Sequence, residues 1–255
     1  MKLISDYFDL AVDTFDEGYL DLKRRYHLIR RHDVIIEELE RLCCAPGDGP
    51  WLDAGCGAGV LAFEVAARNF YILGVDLSRN MIERCMANAR RFKLSSNTAF
   101  QIGDVESLPY ADSSMAGVIC SGVIEYCEEP EIVLAEFARV LRPGAPIIIT
   151  FNNALSPYRF VSGPVKRLAQ RLIRGKTSLP ENQAYALRRA RRLLAAAGIS
   201  VVGWRWHTFA CRVRESWFPP LMIARRLEIL SRIPVARGLG WGLVIVGRRT
   251  NSVNH

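Results

Sequence analysis

The sequence predicts an α/β fold in which a doubly wound, mostly parallel sheet carries helices on both faces. Two observations predict it. From residue 50 onward, short apolar runs alternate with helical patterns in repeated strand–helix–strand order. Such units pack as parallel, right-handed crossovers. The segment WLDAGCGAG (51–59) then places Gly55, Gly57 and Gly59 between the first apolar run and the first helix of that series. There a backbone without Cβ atoms lets a ligand approach the unsatisfied N–H groups of the helix start.

The elements follow in chain order. Residues 19–42 carry apolar residues at helical spacing, and the run Pro46-Gly47-Asp48-Gly49-Pro50 ends that helix. Residues 51–54 read as a strand, 60–68 as a helix and 70–75 as a strand. A helix over 78–92 follows, with Ser78 as its N-cap. Strands are expected at 98–102, 116–120 and 145–151, and a helix over 131–141 is stopped by Arg142-Pro143-Gly144. Residues 154–183 interrupt the rhythm and read as an insertion. The reading resumes with a helix over 184–197 closed by Gly198, a strand over 199–206, a second insertion over 207–238 and a last strand over 242–247. The organisation expected is an N-terminal helical lid over 1–46 and one domain over 47–255 that carries both insertions.

The glycine loop alone also suits a dinucleotide, but GCGAG is followed by Val60, so the third glycine of GxGxxG is absent and NAD is set aside. Asp53, at the strand end, is placed to accept hydrogen bonds from a cationic amine. Asp76 closes the second strand 19 residues after Gly57, where an acidic residue takes ribose hydroxyls.

WLDAGCGAG resembles the first motif of class I methyltransferases dependent on S-adenosylmethionine (SAM). GVDLSRNMIERCMANAR (74–90) resembles the second. The stretch from Gln101 to Thr150 is similar to the small-molecule group that includes quinone-biosynthesis methyltransferases. The resemblance runs continuously over residues 48–152. It implies a Rossmann-like seven-stranded sheet whose last strand is antiparallel beside the sixth. It further implies that Asp53, Gly55 and Gly57 line the methionine part of SAM, that Asp76 binds the ribose, and that Leu77 and Met81 lie beside the adenosine. Asp104 would take the adenine amino group, Val105 and Glu106 would lie against the ring, and Ser121 would sit under the sulfonium. S-adenosylhomocysteine is the implied product, and no metal is expected. Relatives often have Glu-His after the fourth strand, where this chain has Glu125-Tyr126. The base is therefore open. His27, His32 and His207 are weighed, and His207, after the sixth strand, is the candidate named. The Asn/Asp-Pro-Pro-Tyr/Phe pattern of enzymes acting on planar amino nitrogens is absent, because SGVIEY (121–126) stands in its place.

The charge is uneven. Residues 1–155 hold 15 Lys/Arg against 23 Asp/Glu, whereas residues 156–255 hold 19 against 3, giving the second half +16. Such an imbalance points to an anionic partner surface. Residues 164–174 (PVKRLAQRLIR) sort on a helical wheel into an apolar face (Val165, Leu168, Ala169, Leu172, Ile173) and a basic one (Lys166, Arg167, Arg171, Arg174), a pattern that suits a membrane interface. The expected acceptor is thus a hydrophobic small molecule, methylated on oxygen, at or near an anionic membrane surface. An RNA or protein methyltransferase docking through its basic half is the alternative, and a SAM-binding module without catalysis is the third reading. Seven cysteines without a CxxC pair read as reduced thiols, with no zinc site. An acidic opening without an apolar segment does not read as a signal peptide, so a cytoplasmic location, extending to the inner face of a membrane, is expected.

Overall fold

A computed structural model of the 255-residue chain describes residues 26–157, 159, 182–209, 221–234 and 236–251. Seven strands form one sheet: β1 (Trp51–Ala54), β2 (Ile72–Asp76), β3 (Thr98–Ile102), β4 (Gly117–Cys120), β5 (Pro146–Asn152), β6 (Ile199–His207) and β7 (Gly242–Arg249). Their spatial order is β3-β2-β1-β4-β5-β7-β6. β1 to β5 are parallel neighbours, and β7 runs antiparallel between β5 and β6. This is the Rossmann-like, seven-stranded arrangement the sequence predicts. The chain reverses its winding direction between β1 and β4, which opens a crevice at the carboxyl ends of those strands.

The alternation of side chains along each strand builds the two faces. Leu52, Ala54, Val118, Cys120, Ile147 and Ile149 point to one face, under helix α4 (Pro130–Val140) and helix α5 (Leu187–Ala196), which contribute Val133, Leu134, Phe137, Ala190 and Leu194. Trp51, Ile72, Ile119, Ile148 and Val244 point to the other face. They are covered by α1 (Tyr26–Arg41), α2 (Val60–Ala66) and α3 (Arg79–Arg91) through residues such as Val34, Ile35, Leu39, Leu61, Val65 and Ile82. The central strands are buried throughout.

Local chemistry sets the helix ends. Ser78 has extended backbone angles, and its hydroxyl accepts the Met81 N–H at 3.1 Å, so the N-cap expectation holds. Pro130 occupies the first turn of α4, where its missing N–H costs nothing.

Several boundaries differ from the sequence reading. Phe70 and Tyr71 precede β2, because pairing with β1 begins at Trp51 opposite Ile72; Phe70 packs edge-on against Trp51 instead, 5.6 Å between ring centroids. Residues 184–186 are not helical. Tyr185 is fully buried, bridges to Asn153 as an extended residue and packs edge-on against Phe151 at 5.1 Å, so α5 starts only at Leu187.

The N-terminal helix is described from Tyr26. The preceding residues and the basic amphipathic segment 164–174 lie outside the described residues. Of the second insertion, a helix α6 (Leu221–Leu227) and 3₁₀ turns at Glu228–Arg232 and Arg237–Leu239 are described. They dock on α1: Ala224 and Leu227 pack with Tyr26, and Glu228 accepts hydrogen bonds from Tyr26 and Arg30, each at 3.4 Å.

Candidate active site

A cavity of about 370 Å³ opens at the carboxyl ends of β1, β2, β4 and β5, and α1 forms one wall. The glycine loop sits at its base. The Gly55 and Cys56 N–H groups both donate to the Val75 carbonyl, at 2.7 and 3.0 Å, which folds the loop back over β2. Gly55 has φ +75°, and a Cβ there would lie 2.1 Å from Cγ2 of Val123, so the loop packs against the segment after β4 with no room for a side chain. Asp76 ties the second motif to the first. One carboxylate oxygen accepts the Gly57 N–H at 2.8 Å and the other accepts the Ser78 N–H at 2.9 Å. Each oxygen of a carboxylate can accept more than one hydrogen bond, so the same group can also receive ligand hydroxyls.

Asp53 is the electrostatic centre of this half. It is 2% exposed, and its Oδ2 is buried without a hydrogen-bond partner among the described residues. Burial, reinforced by the Asp76 carboxylate, pushes its pKa up to about 7, against the pull of the Ala62 N–H in the first turn of α2. A buried acceptor left open costs free energy until a donor reaches it, and a cationic amine is the donor that best matches a carboxylate. These residues fit the ammonium and ribose of SAM.

All ten cofactor-side residues named from the sequence come together. Asp53, Gly55, Gly57, Asp76, Leu77, Met81, Asp104, Val105, Glu106 and Ser121 line the one cavity. Asp104 is held in a tight turn after β3, its Oδ1 accepting the Glu106 N–H at 2.9 Å. Ser121 contributes a buried hydroxyl without a partner among the described residues.

His207, the base candidate named from the sequence, is not among the residues that line the cavity. It ends β6 at 1% exposure, with its ring so close to Gly242 that a Cβ there would lie 2.3 Å from Nε2. Nδ1 contacts the Thr208 hydroxyl at 2.9 Å, and burial holds its pKa well below the usual histidine range. Register decided this outcome: β6 pairs His207 with Gly242, which draws the ring inside instead of leaving it in a loop.

The residues that sequence reasoning underweighted lie on the opposite wall. His27 packs edge-on against Trp241 at 4.6 Å, and both line the cavity with Arg31, Glu125 and Asn152. Glu125 is 5% exposed, with Oε2 buried and without a partner among the described residues. Desolvation raises its pKa, and Arg31 opposes that rise. The backbone around it is clamped: the Gln183 N–H donates to the Glu125 carbonyl at 2.8 Å, and Gln183 Nε2 donates to the Cys127 carbonyl at 2.8 Å. The Glu125-Tyr126 pair, noted from sequence as a departure, was the available signal for this carboxylate.

Comparison with known proteins bears on the central part of the chain. Residues 52–149 match the family described as "Methyltransferase domain". Over that span the chain is similar to methyltransferase domains. The chain is 32% identical over 119 residues to malonyl-[acyl-carrier protein] O-methyltransferase of Hamiltonella defensa, covering 47% of this chain and 41% of that one. It is 33% identical over 99 residues to norajmaline N-methyltransferase of Rauvolfia serpentina, covering 38% and 34%. The chain thus spans less than half the length of either relative. In fold it resembles magnesium protoporphyrin IX methyltransferase of Synechocystis, solved with bound S-adenosylhomocysteine, at a TM-score of 0.69 and 18% identity over 98% and 99% of the two chains.

Proposed function

We propose that the chain transfers a methyl group from SAM to an oxygen of a hydrophobic small-molecule acceptor and releases S-adenosylhomocysteine. The observation that carries this reading is the open, buried Oδ2 of Asp53 above the glycine loop, beside an Asp76 already fixed by two backbone N–H groups. When bound, SAM supplies an electrophilic methyl group on a sulfonium. Asp53 accepts hydrogen bonds from the ammonium, and Gly55 and Gly57 permit close approach of the methionine part. Asp76 accepts the ribose hydroxyls, Leu77 and Met81 flank the adenosine, and Asp104, Val105 and Glu106 hold the adenine. Ser121 lies under the reacting centre. Alignment of acceptor and methyl supplies most of the catalysis, on the order of 7–11 kcal/mol.

A hydroxyl acceptor must also lose its proton. Glu125 is the carboxylate placed for this, with a buried oxygen open to receive it. As the new O–CH3 bond forms and the S–CH3 bond breaks, the hydroxyl proton passes to Glu125 Oε2. Leu28, Val123, Ile132 and Trp241 supply apolar lining for the acceptor.

Tritiated methyl-SAM offered with a panel of phenols, quinols and long-chain carboxylic acids is expected to leave label in the organic extract. Label entering RNA or protein instead would move the reading to the macromolecular alternative. On the best acceptor, Glu125→Gln is expected to lower kcat about 10²- to 10⁴-fold. The base works ionised and its pKa is raised, so wild-type activity rises with pH through a value above the ordinary carboxylate range. That limb disappears in Glu125→Gln; an unchanged profile excludes Glu125 as the base.

We further propose reversible association with anionic membrane. Among the described residues, Met222, Ile223, Ile229, Ile233 and Leu239 are exposed alongside Arg225, Arg226, Arg232 and Arg237, while the one carboxylate of that stretch, Glu228, is turned inward to Arg30. Near an anionic surface each such arginine contributes about 1 kcal/mol. Flotation with phosphatidylserine vesicles should carry the protein, and Ile223→Glu with Ile229→Glu should release it; equal flotation of both proteins removes this surface from consideration.

A further inference from the structure

The acceptor half of the cavity contains a cation that has no ion pair or hydrogen bond among the described residues. Arg30 and Arg31 are neighbours on α1 with opposite fates. Arg30 is tied to Asp33, Glu37 and Glu228 at 3.7, 3.1 and 3.4 Å. Arg31 turns into the cavity and makes no hydrogen bond or ion pair among the described residues, and its Nε is buried without a partner. Its guanidinium lies against Gly122, where a Cβ would come within 2.5 Å of Nη1.

Among the described residues no carboxylate closes on it; Glu125 acts on it only through space. His32 and His207, the two nearby rings on which Arg31 acts, are both neutral: burial holds His32 at a pKa of about 3 and His207 well below its usual range. Glu125 shares the cavity, yet its Oε2 and the Nε of Arg31 both remain without partners, so the two do not satisfy each other. A guanidinium partly stripped of water is destabilised until an anion meets it. Its planar fork matches a carboxylate, with two parallel N–H···O bonds.

We propose that Arg31 anchors a carboxylate carried by the acceptor, so that this methyltransferase takes hydrophobic carboxylic acids whose nucleophile faces Glu125. The affinity of Arg31 variants for S-adenosylhomocysteine separates this role from one in holding the carboxylate of SAM. Arg31 sits over Gly122, after β4, with its charge acting on Glu125, His32 and His207. Gly55, to which the methionine part is assigned, packs against Val123, the residue after Gly122. An acid with its carboxylate on Arg31 and a protonated nucleophile at Glu125 meets both open groups at once. The inference rests on the cofactor reading, since it assigns the space that SAM leaves.

The test uses the full chain saturated with S-adenosylhomocysteine at about pH 7.5, where a carboxylic acid is ionised. It is titrated calorimetrically with 4-hydroxybenzoate against 4-hydroxybenzamide, and with octanoate against octanamide. Each carboxylate is expected to bind at least about tenfold more tightly than its uncharged amide. Arg31→Met is expected to abolish that preference and Arg31→Lys to retain part of it, while both variants bind S-adenosylhomocysteine within about twofold of wild type and so report an intact fold. Three results overturn the proposal: no carboxylate binding to the loaded wild type, a preference that survives in Arg31→Met, or a loss of S-adenosylhomocysteine affinity in Arg31→Met, which would assign the guanidinium to the cofactor. Failure of wild type to bind S-adenosylhomocysteine at all is a different result. It removes the cofactor reading itself and the inference with it.

Discussion

Asp53→Asn is expected to raise the melting temperature of the free protein at about pH 8 while weakening its affinity for S-adenosylhomocysteine by about 10- to 100-fold. The two effects share one cause. In the unfolded chain the Asp53 carboxyl ionises near pH 4, whereas in the folded protein burial and Asp76 hold the proton on until about pH 7. The folded state therefore binds more protons across that interval, and this site lowers stability progressively as pH rises from about 4 to about 7. A tenfold change in proton affinity is worth about 1.4 kcal/mol, so removing the charge should recover several kcal/mol above pH 7, less whatever cavity water already compensates. The same open carboxylate is what an ammonium group needs. Bound ligand should lower the Asp53 pKa, so wild-type affinity should rise with pH up to about 7 and then level off. Asp53→Asn should show weak, pH-independent binding and a free-protein stability that no longer falls over that range. Binding by Asp53→Asn as tight as that of wild type would remove Asp53 from the ligand site.

Gly55→Ala is expected to be the most damaging added methyl among the described glycines. At φ +75° an L-residue costs about 1–2 kcal/mol. Here the new Cβ also overlaps Val123, 2.1 Å from Cγ2, and overpacking of this kind adds about 1–3 kcal/mol. Val123 precedes the turn that holds Glu125, so relief of the overlap displaces both halves of the cavity together. A fall in stability of about 2–5 kcal/mol and loss of S-adenosylhomocysteine binding should follow. Gly47→Ala is the control. Its φ is +105°, but nothing lies within 4 Å of the added carbon. It carries backbone strain alone, so it should cost stability without affecting binding. Equal behaviour of the two variants would mean that the loop does not need its contact with Val123.

The parts of this architecture that depend on short-range pattern were legible in the sequence. Trp51–Ala54 and Thr98–Ile102 have the boundaries the apolar runs suggested, and the Ser78 cap follows from a hydroxyl just before a helical stretch. The cofactor half was legible for the same reason: Asp53, the glycines and Asp76 are local to two strand ends. The acceptor half was not, because it is assembled across the chain. Arg31 lies on α1, Glu125 follows β4, and Trp241 precedes β7; no spacing brings these three together. His207 shows the opposite failure. Its position after a strand suggested an exposed loop, yet pairing with Gly242 in an antiparallel ladder extended the strand and buried the ring. Tyr185 was likewise absorbed into a helix by its alanine and leucine neighbours, while its burial beneath α5 required an extended residue.

Calorimetric titration of the full chain with S-adenosylhomocysteine, with NAD titrated in parallel, tests the central claim most directly. A single site for S-adenosylhomocysteine and no heat with NAD are predicted. Asp76→Ala should lose about 1–3 kcal/mol of binding free energy through its broken hydrogen bonds. Binding of NAD in place of S-adenosylhomocysteine, or full S-adenosylhomocysteine affinity in Asp76→Ala, would contradict the claim.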